Sequence, residues 1–191
     1  MKVNRFKRVV MPLDVDNGRK AFHPMAKWRW PERIIDHAQL QRLRFLENVP
    51  LFNGLSQKQL GKLLVKLFEK EYLVGETVFL QGDPGKALFI VLSGRILIVR
   101  SGNGGEEQVA TLDRGSYFGE LALIDDQPRS ASARAEEPTV LLILYKSDFD
   151  DLIEGQGAIA IKVMANLLKA LAGYVRAAHR GDTRIAVTTD D

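Results

Sequence analysis

The sequence predicts a mainly β fold with flanking helices, an α+β arrangement in which short strands lie between N-terminal helices and a long C-terminal helix. Between Tyr72 and Tyr145, short β-rich runs alternate with turn signals. On both sides of this segment, apolar residues recur at helical spacing. Many short strands at regular spacing are typical of a barrel or a sandwich. The interior of such a barrel is a natural pocket for a small ligand.

Composition divides the chain into five segments. They are a basic arm at 1–33, N-terminal helices at 34–71, a β-barrel at 72–146, C-terminal helices at 147–180 and a polar tail at 181–191. The arm holds nine Lys or Arg residues and three acidic residues, whereas the whole chain has a net charge of only +3. The basic character therefore belongs to the arm, and the rest of the chain is mildly acidic.

The arm contains Trp28 and Trp30, which an extended backbone before Pro31 would place on one side. Exposed indoles beside cations favour a binding role. The two tryptophans could fold back onto their own domain or onto a second protomer, or they could dock an acidic protein partner. Basic clusters near aromatic rings also suit nucleic acid and anionic membrane surfaces. An effector protein is the partner that we expect the arm to bind.

Several classes of function are disfavoured by what the sequence lacks. The chain has no cysteine, which excludes disulfides and thiol catalysis and fits a cytoplasmic protein. No run of 18 apolar residues is present, so no membrane span is expected. His23, His37 and His179 match no metal-ligand spacing, and no serine lies in a Gly-x-Ser-x-Gly setting. We therefore expect neither a metal site nor an enzyme.

Two helices are predicted before the strands. The first has apolar positions at Ile35, Ala38, Leu40, Leu43, Phe45 and Leu46 and ends near Asn48. The second begins at Ser56, a good N-cap residue, and has apolar positions at Leu60, Leu63, Leu64, Leu67 and Phe68. Both helices are amphipathic.

Six strands follow. They are predicted at 77–80, 88–92, 95–100, 108–112, 131–135 and 139–144. Glycine-rich segments at 82–85, 93–94 and 101–105 supply turns between them.

After the strands, Ser147 is expected to cap a short helix, and the segment 155–157 should break it before a long helix from about Ala158 to His179. The long helix has two apolar seams. One seam consists of Ile161, Met164, Leu168, Leu171, Val175 and Ala178, and the other of Ala160, Val163, Leu167, Ala170, Tyr174 and Ala177. A helix that packs on one surface needs a single stripe. Two seams favour a second partner, namely the same helix of another copy in a dimer, although one wide face within a single domain also explains them.

The segment FGELALIDDQPRSASA at 118–133 combines the groups that bind a phosphorylated sugar. Gly119 permits a sharp turn, and Glu120–Ile124 predicts one helical turn whose free amides attract an anion. Arg129 follows Pro128 and can grip a phosphate through two charge-assisted bonds. Glu120 can accept a hydrogen bond from a ribose hydroxyl. The simpler interpretation is an ordinary strand–turn–helix with a surface arginine and a capping glutamate.

This segment and three others resemble the cyclic-nucleotide-binding domain family, which includes the catabolite activator protein and the regulatory subunits of cAMP-dependent protein kinase. The other motifs are VPLFNGLS at 49–56, GETVFLQGDPG at 75–85 and LFIVLSGRILI at 88–98. The resemblance covers roughly 46–180 and implies a jelly-roll β-barrel. It also implies a sensor that transmits ligand occupancy through the movement of its flanking helices.

The resemblance assigns roles to particular residues of this chain. The phosphate would lie against Arg129, Ser130 and the amides near Leu121 and Ala122, with Glu120 on the ribose 2′-hydroxyl. The complete set of expected ligand-binding residues is Phe118, Gly119, Glu120, Leu121, Ala122, Arg129, Ser130, Ala131 and Tyr174. Tyr174 and Val175 stand where the family's activator proteins have a Thr-Ser pair on adenine. The expected ligand is cAMP, with cGMP as the second possibility.

The polar tail is too short for the helix-turn-helix module that transcription factors of this family carry after the sensor domain. We therefore expect a stand-alone regulatory protein that does not bind DNA. The alternative is an interaction subunit, which would use the same fold and the basic arm to dock into a larger protein complex.

Overall fold

A computed structural model describes residues 7–8, 37–102 and 104–180. Its helices are α1 (His37–Glu47), α2 (Gln57–Leu64), α3 (Lys146–Gly155) and α4 (Gly157–His179), with 3₁₀ turns at Pro50–Phe52 and Glu120–Leu123. Its strands are β1 (Lys7–Arg8), β2 (Phe68–Tyr72), β3 (Thr77–Phe79), β4 (Ala87–Ser93), β5 (Ile96–Gly102), β6 (Gly105–Leu112), β7 (Tyr117–Phe118), β8 (Ser132–Ala135) and β9 (Thr139–Tyr145).

The strands form two antiparallel sheets. The first has the order β1-β2-β9-β4-β7 and the second the order β3-β8-β5-β6. With β1 set aside, consecutive strands alternate between the two sheets except at the β5–β6 hairpin, which is the arrangement of a jelly roll. The predicted fold class, a jelly-roll barrel with N-terminal helices and a long C-terminal helix, is confirmed.

The central strands β4 and β9 are buried on both faces, and this gives the molecule two cores. On β4, Leu88 and Ile90 pack with the helices, whereas Phe89 and Val91 face the second sheet inside the barrel. The alternation follows from the two-residue period of a strand. The helical layer is thereby fixed to the outside of the barrel wall.

The second predicted helix is too long. We predicted it to include Leu67 and Phe68, but α2 ends at Leu64 and Phe68 is the first residue of β2. Apolar residues at 63, 64, 67 and 68 have the spacing of a helix. Spacing alone therefore could not distinguish a helix that continues to Phe68 from a shorter helix followed by a strand. Pairing with β9 decides it, because Phe68 lies opposite Ile143 and its ring meets Tyr145 edge-on at 5.3 Å. Apart from β1, the first strand of the sheets therefore begins at residue 68, before the predicted barrel boundary at residue 72.

The capping predictions had different outcomes. Ser56 is the N-cap of α2, since its hydroxyl accepts a hydrogen bond from the backbone N–H of Gln59 in a complete capping box. Ser147 is not a cap: α3 starts at Lys146, directly after β9, and its N-cap residue Tyr145 makes no side-chain capping bond. The strand runs into the helix without a linker, so the N-cap position falls on a strand residue.

Part of the basic arm can be placed. The backbone of β1 pairs antiparallel with β2, with Lys7 opposite Glu69 and Arg8 opposite Phe68. This pairing shows that the arm returns to its own domain at these two residues. The predictions for Trp28, Trp30 and the tail at 181–191 lie outside the described residues.

Helix α4 packs along the helical core and is tied to the N-terminal segment. Ile159, Ala160, Val163 and Leu167 are buried in that core. The side-chain amide of Asn166 donates to the carbonyls of Leu51 and Asn53 at 3.0 and 2.9 Å, and Lys162 bonds the carbonyl of Gly54. Among the described helices, α4 alone is long and apolar enough to cross a membrane by length and composition, a test that core helices of soluble proteins also pass.

Candidate functional site

A cavity of about 320 Å³ opens between the second sheet, the 118–133 segment and the C-terminal half of α4. All nine predicted ligand-binding residues line it: Phe118, Gly119, Glu120, Leu121, Ala122, Arg129, Ser130, Ala131 and Tyr174. The volume lies within the range of roughly 300–1,000 Å³ that is typical of small-molecule sites. The cavity is thus not filled by side chains, and the predicted residues converge on it.

Gly119 makes the sharp turn that begins the site. Its backbone is left-handed, with φ 71° and ψ 21°, and it precedes the 3₁₀ turn Glu120–Leu123. A Cβ atom at this position would lie 2.5 Å from Nη1 of Arg129 and 3.2 Å from the carbonyl oxygen of Ala87. Only glycine combines this conformation with such close approach of the guanidinium.

Arg129 is held in place by backbone carbonyls and lines the cavity. It is only 9% exposed. Its Nη1 donates to the carbonyl of Gly119 at 3.1 Å and its Nη2 to the carbonyl of Ala87 at 2.7 Å. The guanidinium lies 4.1 Å from the ring centroid of Phe79, a cation–π distance.

Among the remaining N–H donors of this side chain, the one on Nε is informative. Nε of Arg129 is buried and has no hydrogen-bond partner among the described residues. A buried unpaired donor is costly, so its presence beside a cavity indicates an acceptor that the ligand would supply. Desolvation lowers the pKa of Arg129, an effect that the charges of Glu120 and Asp83 oppose, and the guanidinium remains protonated.

Glu120 lies on the same cavity, half-buried at the start of the 3₁₀ turn. Desolvation raises the pKa of its carboxyl group, whereas a hydrogen bond from its own backbone N–H and the charge of Arg129 act in the opposite direction. No salt bridge joins Glu120 to Arg129 in the described part of the chain. The carboxylate is therefore free to accept hydrogen bonds from a bound ligand.

The loop at 80–85 fixes the far end of the 118–133 segment. The backbone N–H of Arg129 donates to the carbonyl of Asp83 at 2.8 Å, and the N–H of Gly82 donates to the carbonyl of Arg129 at 2.9 Å. The N–H of Gln81 donates to Oγ of Ser132 at 2.9 Å. These bonds hold Ser130 and Ala131 at the cavity wall.

Tyr174 brings α4 onto the cavity. Burial raises the pKa of its phenol, and the nearby carboxyl of Glu120 raises it further. Burial likewise raises the pKa of Tyr117, another lining residue, to about 12. Val175 is 55% exposed and does not line the cavity, so of the pair at 174–175 only the tyrosine reaches it.

Several lining residues were not predicted. They are contributed mainly by other strands and by α4, and include Phe79, Ile98, Arg100, Val109, Ala110, Leu112 and Leu171. Most of them are apolar residues. Their alternation in the sequence predicts a strand, but it does not predict which other strands or helices they lie close to. The register of β5 with β6, in which Ile98 lies opposite Ala110, is the information that brings them together.

Metal chemistry finds no support among the described residues, where no group of three His, Cys, Asp or Glu residues is placed to hold an ion. The polar side chains around the cavity are those of two arginines, two acidic residues, a glutamine, a serine and two tyrosines, namely Arg100, Tyr117, Glu120, Asp125, Gln127, Arg129, Ser130 and Tyr174. This set suits an anionic ligand that also carries hydroxyl groups.

Comparison with known proteins identifies the class to which this site belongs. Residues 69–156 match the family model described as "Cyclic nucleotide-binding domain". These residues therefore form a cyclic nucleotide-binding domain, and the family resemblance is confirmed. The chain is homologous to catabolite activator proteins and to the regulatory subunits of cAMP-dependent protein kinase.

Individual relatives show how far the similarity extends. The chain is 38% identical over 127 residues to the cyclic AMP receptor protein of Thermus thermophilus, covering 66% of this chain and 59% of that protein. It is 43% identical over 96 residues to a cAMP-dependent protein kinase regulatory subunit of Mycosarcoma maydis, covering 50% of this chain and 18% of that subunit. The crystal structure of Thermus thermophilus catabolite activator protein superposes with a TM-score of 0.64 at 38% identity, over 69% of this chain and 61% of that chain.

Proposed function

We propose that this protein is a cytoplasmic, non-catalytic regulator that binds a cyclic nucleotide, with cAMP as the leading ligand, and passes its occupancy to a separate effector. The observation that carries the proposal is the buried Nε of Arg129, which lacks an acceptor beside a cavity of suitable volume. The relatives support cAMP as the ligand, since one of them is a cyclic AMP receptor protein.

The geometry supports one orientation of the ligand. The cyclic phosphate lies against Arg129 and Ser130, where it accepts a charge-assisted hydrogen bond from Nε, the nitrogen of Arg129 that has no acceptor in the protein. The ribose 2′-hydroxyl then donates to the carboxylate of Glu120. The base extends along the apolar wall formed by β5 and β6, and Tyr174 lies on the α4 side, where its ring can stack on a purine.

A path from the cavity to the flanking helices supports the signalling part of the proposal. Leu171 and Tyr174 of α4 line the cavity, and one to two turns earlier Asn166 bonds the carbonyls of Leu51 and Asn53. One helix therefore contacts both the ligand pocket and the N-terminal helical segment. A ligand shifts such a helix between two positions only if it binds one of them more tightly than the other. The contact between the ligand and Tyr174 must therefore differ between the two positions of α4.

The outward face of α4 supports a homodimer as part of this function. Ile161, Leu168 and Val175 are 70%, 62% and 55% exposed and recur every seven residues. Exposed Ala165 and Ala172 fall between them at three- and four-residue spacing. This is the pattern of a coiled-coil seam that would pair with the same seam of a second copy.

A second candidate function is an interaction subunit that docks through the basic arm. The position of β1 favours it in one respect, because β1 is the outermost strand of the first sheet and an edge strand can pair with a strand of a partner. Deletion of residues 1–33 separates the two functions. Loss of a co-purifying protein with nucleotide binding retained would place docking on the arm and sensing on the barrel, whereas retention of that protein would contradict the docking role.

Calorimetry and thermal unfolding with cAMP test the leading proposal. At about 100 times Kd, the ligand should add about 2.7 kcal/mol to the free energy of unfolding. Arg129→Ala should weaken binding by about 2–5 kcal/mol, because a buried phosphate loses its charged partner. Arg134→Ala is the matched control, since Arg134 is an arginine of β8 that pairs with Glu106 at 3.9 Å and does not line the cavity. A melting curve of the unaltered protein that millimolar cAMP and cGMP leave unmoved would refute the proposal.

A further inference from the structure

One face of the Arg129 guanidinium is covered by an aromatic ring that no motif predicted. The guanidinium carbon lies 4.1 Å from the ring centroid of Phe79 and 5.5 Å from that of Phe89. Phe79 lines the ligand cavity together with Arg129, whereas Phe89 does not. Phe79 is therefore the ring that connects the buried guanidinium with the cavity.

An irregularity in β3 brings Phe79 to this position. Thr77 lies opposite Arg134 and Phe79 lies opposite Ala133, so Val78 is an extra residue in β3. In a regular strand, neighbouring side chains point to opposite faces. Val78 and Phe79 are neighbours, yet both pack against the core inside the barrel. The bulge therefore explains how a strand of three residues contributes two consecutive side chains to one core.

Two rings of the other sheet restrain Phe79. Phe89 and Phe118 are paired across β4 and β7, and their rings stack with centroids 5.2 Å apart and an interplanar angle of 16°. The ring of Phe79 lies 5.5 Å from that of Phe89 and 5.9 Å from that of Phe118, tilted by 41° and 39°. Because aromatic pairs have preferred geometries, these contacts hold the ring of Phe79 beside Arg129.

The contacts of Arg129 restrain the guanidinium in different directions. The carbonyls of Gly119 and Ala87 accept hydrogen bonds from Nη1 and Nη2. A planar group that is held at two atoms can still rotate about the line through them, and such a rotation would displace Nε. The ring of Phe79 lies against the face of the plane and opposes this rotation.

An aromatic ring suits this position because it stabilises a cation without using a hydrogen-bond donor. The attraction comes from the ring quadrupole and is stronger where water is excluded. A carboxylate in the same place would pair with the guanidinium and compete with a phosphate. The contact with Phe79 therefore leaves the Nε donor of Arg129 without a partner in the protein and available to a ligand.

We propose that Phe79 is a positioning residue of the phosphate site, whose ring holds the Arg129 guanidinium in the plane in which Nε meets the phosphate of the bound nucleotide. This inference rests on the proposed function and deepens it, because it names the residue that orients the phosphate-binding group. Phe79 acts through Arg129 and not by its own contact with the nucleotide.

Calorimetry with cAMP on three single variants tests the role of the ring. Phe79→Leu keeps an apolar side chain but removes the ring, so the Kd should rise about 2- to 30-fold, the range expected for one cation–π contact. Phe79→Tyr keeps the ring and should restore the Kd to within about twofold of the unaltered protein. Urea unfolding measures the stability of each variant.

Phe68→Leu is the matched control. Phe68 is a half-buried strand residue that packs against the same barrel core as Phe79. Its ring meets Tyr145 edge-on at 5.3 Å and does not line the cavity. Phe68→Leu should therefore lower the stability as Phe79→Leu does, but it should leave the Kd for cAMP unchanged. A Kd that rises equally in both variants would show that the barrel core controls affinity, and it would overturn the inference.

A second background separates positioning from direct contact with the nucleotide. Arg129→Lys keeps the charge but has no planar group for a ring to orient. Phe79→Leu should therefore raise the Kd of the Arg129→Lys variant by less than about twofold, a smaller change than in the unaltered chain. An equal rise in the two backgrounds would show that Phe79 packs on the nucleotide itself, and the positioning role would be wrong.

The remaining outcomes distinguish this inference from the proposed function. If cAMP binds the unaltered chain and Phe79→Leu with the same Kd, the inference fails while the proposed function stands. A Phe79→Tyr variant that binds as weakly as Phe79→Leu would likewise contradict the role of the ring. If neither cAMP nor cGMP binds the unaltered chain, both fail.

Discussion

Gly119→Ala tests whether the left-handed turn beside Arg129 is required for ligand binding. The substitution has two separable effects. An alanine in the left-handed region costs about 1–2 kcal/mol of folding stability. In addition, its Cβ would lie 2.5 Å from Nη1 of Arg129, so the guanidinium must move away from the Gly119 carbonyl that it now bonds at 3.1 Å.

Gly75→Ala separates the two effects. Gly75 has φ 76°, close to the 71° of Gly119, and a Cβ there would meet nothing within 4 Å. It lies between β2 and β3 and does not line the cavity. Gly75→Ala should therefore lose the same backbone term of about 1–2 kcal/mol and bind cAMP normally.

For Gly119→Ala we expect a similar or slightly larger loss of stability together with a large loss of affinity. A misplaced charge-assisted hydrogen bond is worth about 1.5–3 kcal/mol, which corresponds to a roughly 10- to 150-fold rise in Kd. Urea unfolding measures the stability and calorimetry with cAMP measures the affinity. Equal Kd values for the two variants would refute the reasoning, because they would show that the position of the Arg129 guanidinium does not control binding.

Three further variants test the remaining features. Glu120→Gln should raise the melting temperature at pH 7, because desolvation raises the pKa of this carboxyl in the folded protein. The gain should vanish below the ordinary pKa of 4.5, where the carboxyl of the unaltered protein is protonated in both the folded and the unfolded state. A difference in melting temperature that stays constant between pH 3 and 7 would contradict this. Asn166→Ala should lower the free energy of unfolding by about 1–3 kcal/mol, since two hydrogen bonds of about 0.5–1.5 kcal/mol each, to the carbonyls of Leu51 and Asn53, are lost. An unchanged urea midpoint would contradict the proposed anchor. Leu168→Lys should convert a dimer to a monomer in sedimentation, and an unaltered protein that is monomeric at micromolar concentration would exclude the seam.

The contiguous part of the site could be predicted from the sequence because its chemistry is local. The segment 118–133 holds the turn glycine, the carboxylate and the arginine within a few residues, and each residue type permits few alternatives. Tyr174 was assigned only through the family resemblance, since nothing local links a helix residue to a distant turn.

Residues from other strands could not be predicted, because their position depends on pairing. Arg100 reads in the sequence as a polar residue at a strand end, and its place on the cavity depends on the register of β5 and on the extra residue Val109 in β6. Strand β2 was missed for a related reason. Its sequence FEKEY carries three charges, and pairing with β1 and β9 makes it a strand despite that composition.

The separation of Arg129 from Glu120 explains how one cavity can hold opposite charges and still bind a ligand that carries one negative charge. Burial disfavours the charged form of each, lowering the pKa of Arg129 and raising that of Glu120. A direct salt bridge would stabilise the charged forms of both groups. Instead, the two terminal nitrogens of the guanidinium donate to the carbonyls of Gly119 and Ala87. A phosphate at Nε and a hydroxyl at the carboxylate then satisfy the two groups together, without first breaking a bond between them. Because neither partner alone satisfies both groups, a ligand that offers a phosphate and a ribose hydroxyl in one rigid ring should bind more tightly than inorganic phosphate or a nucleoside.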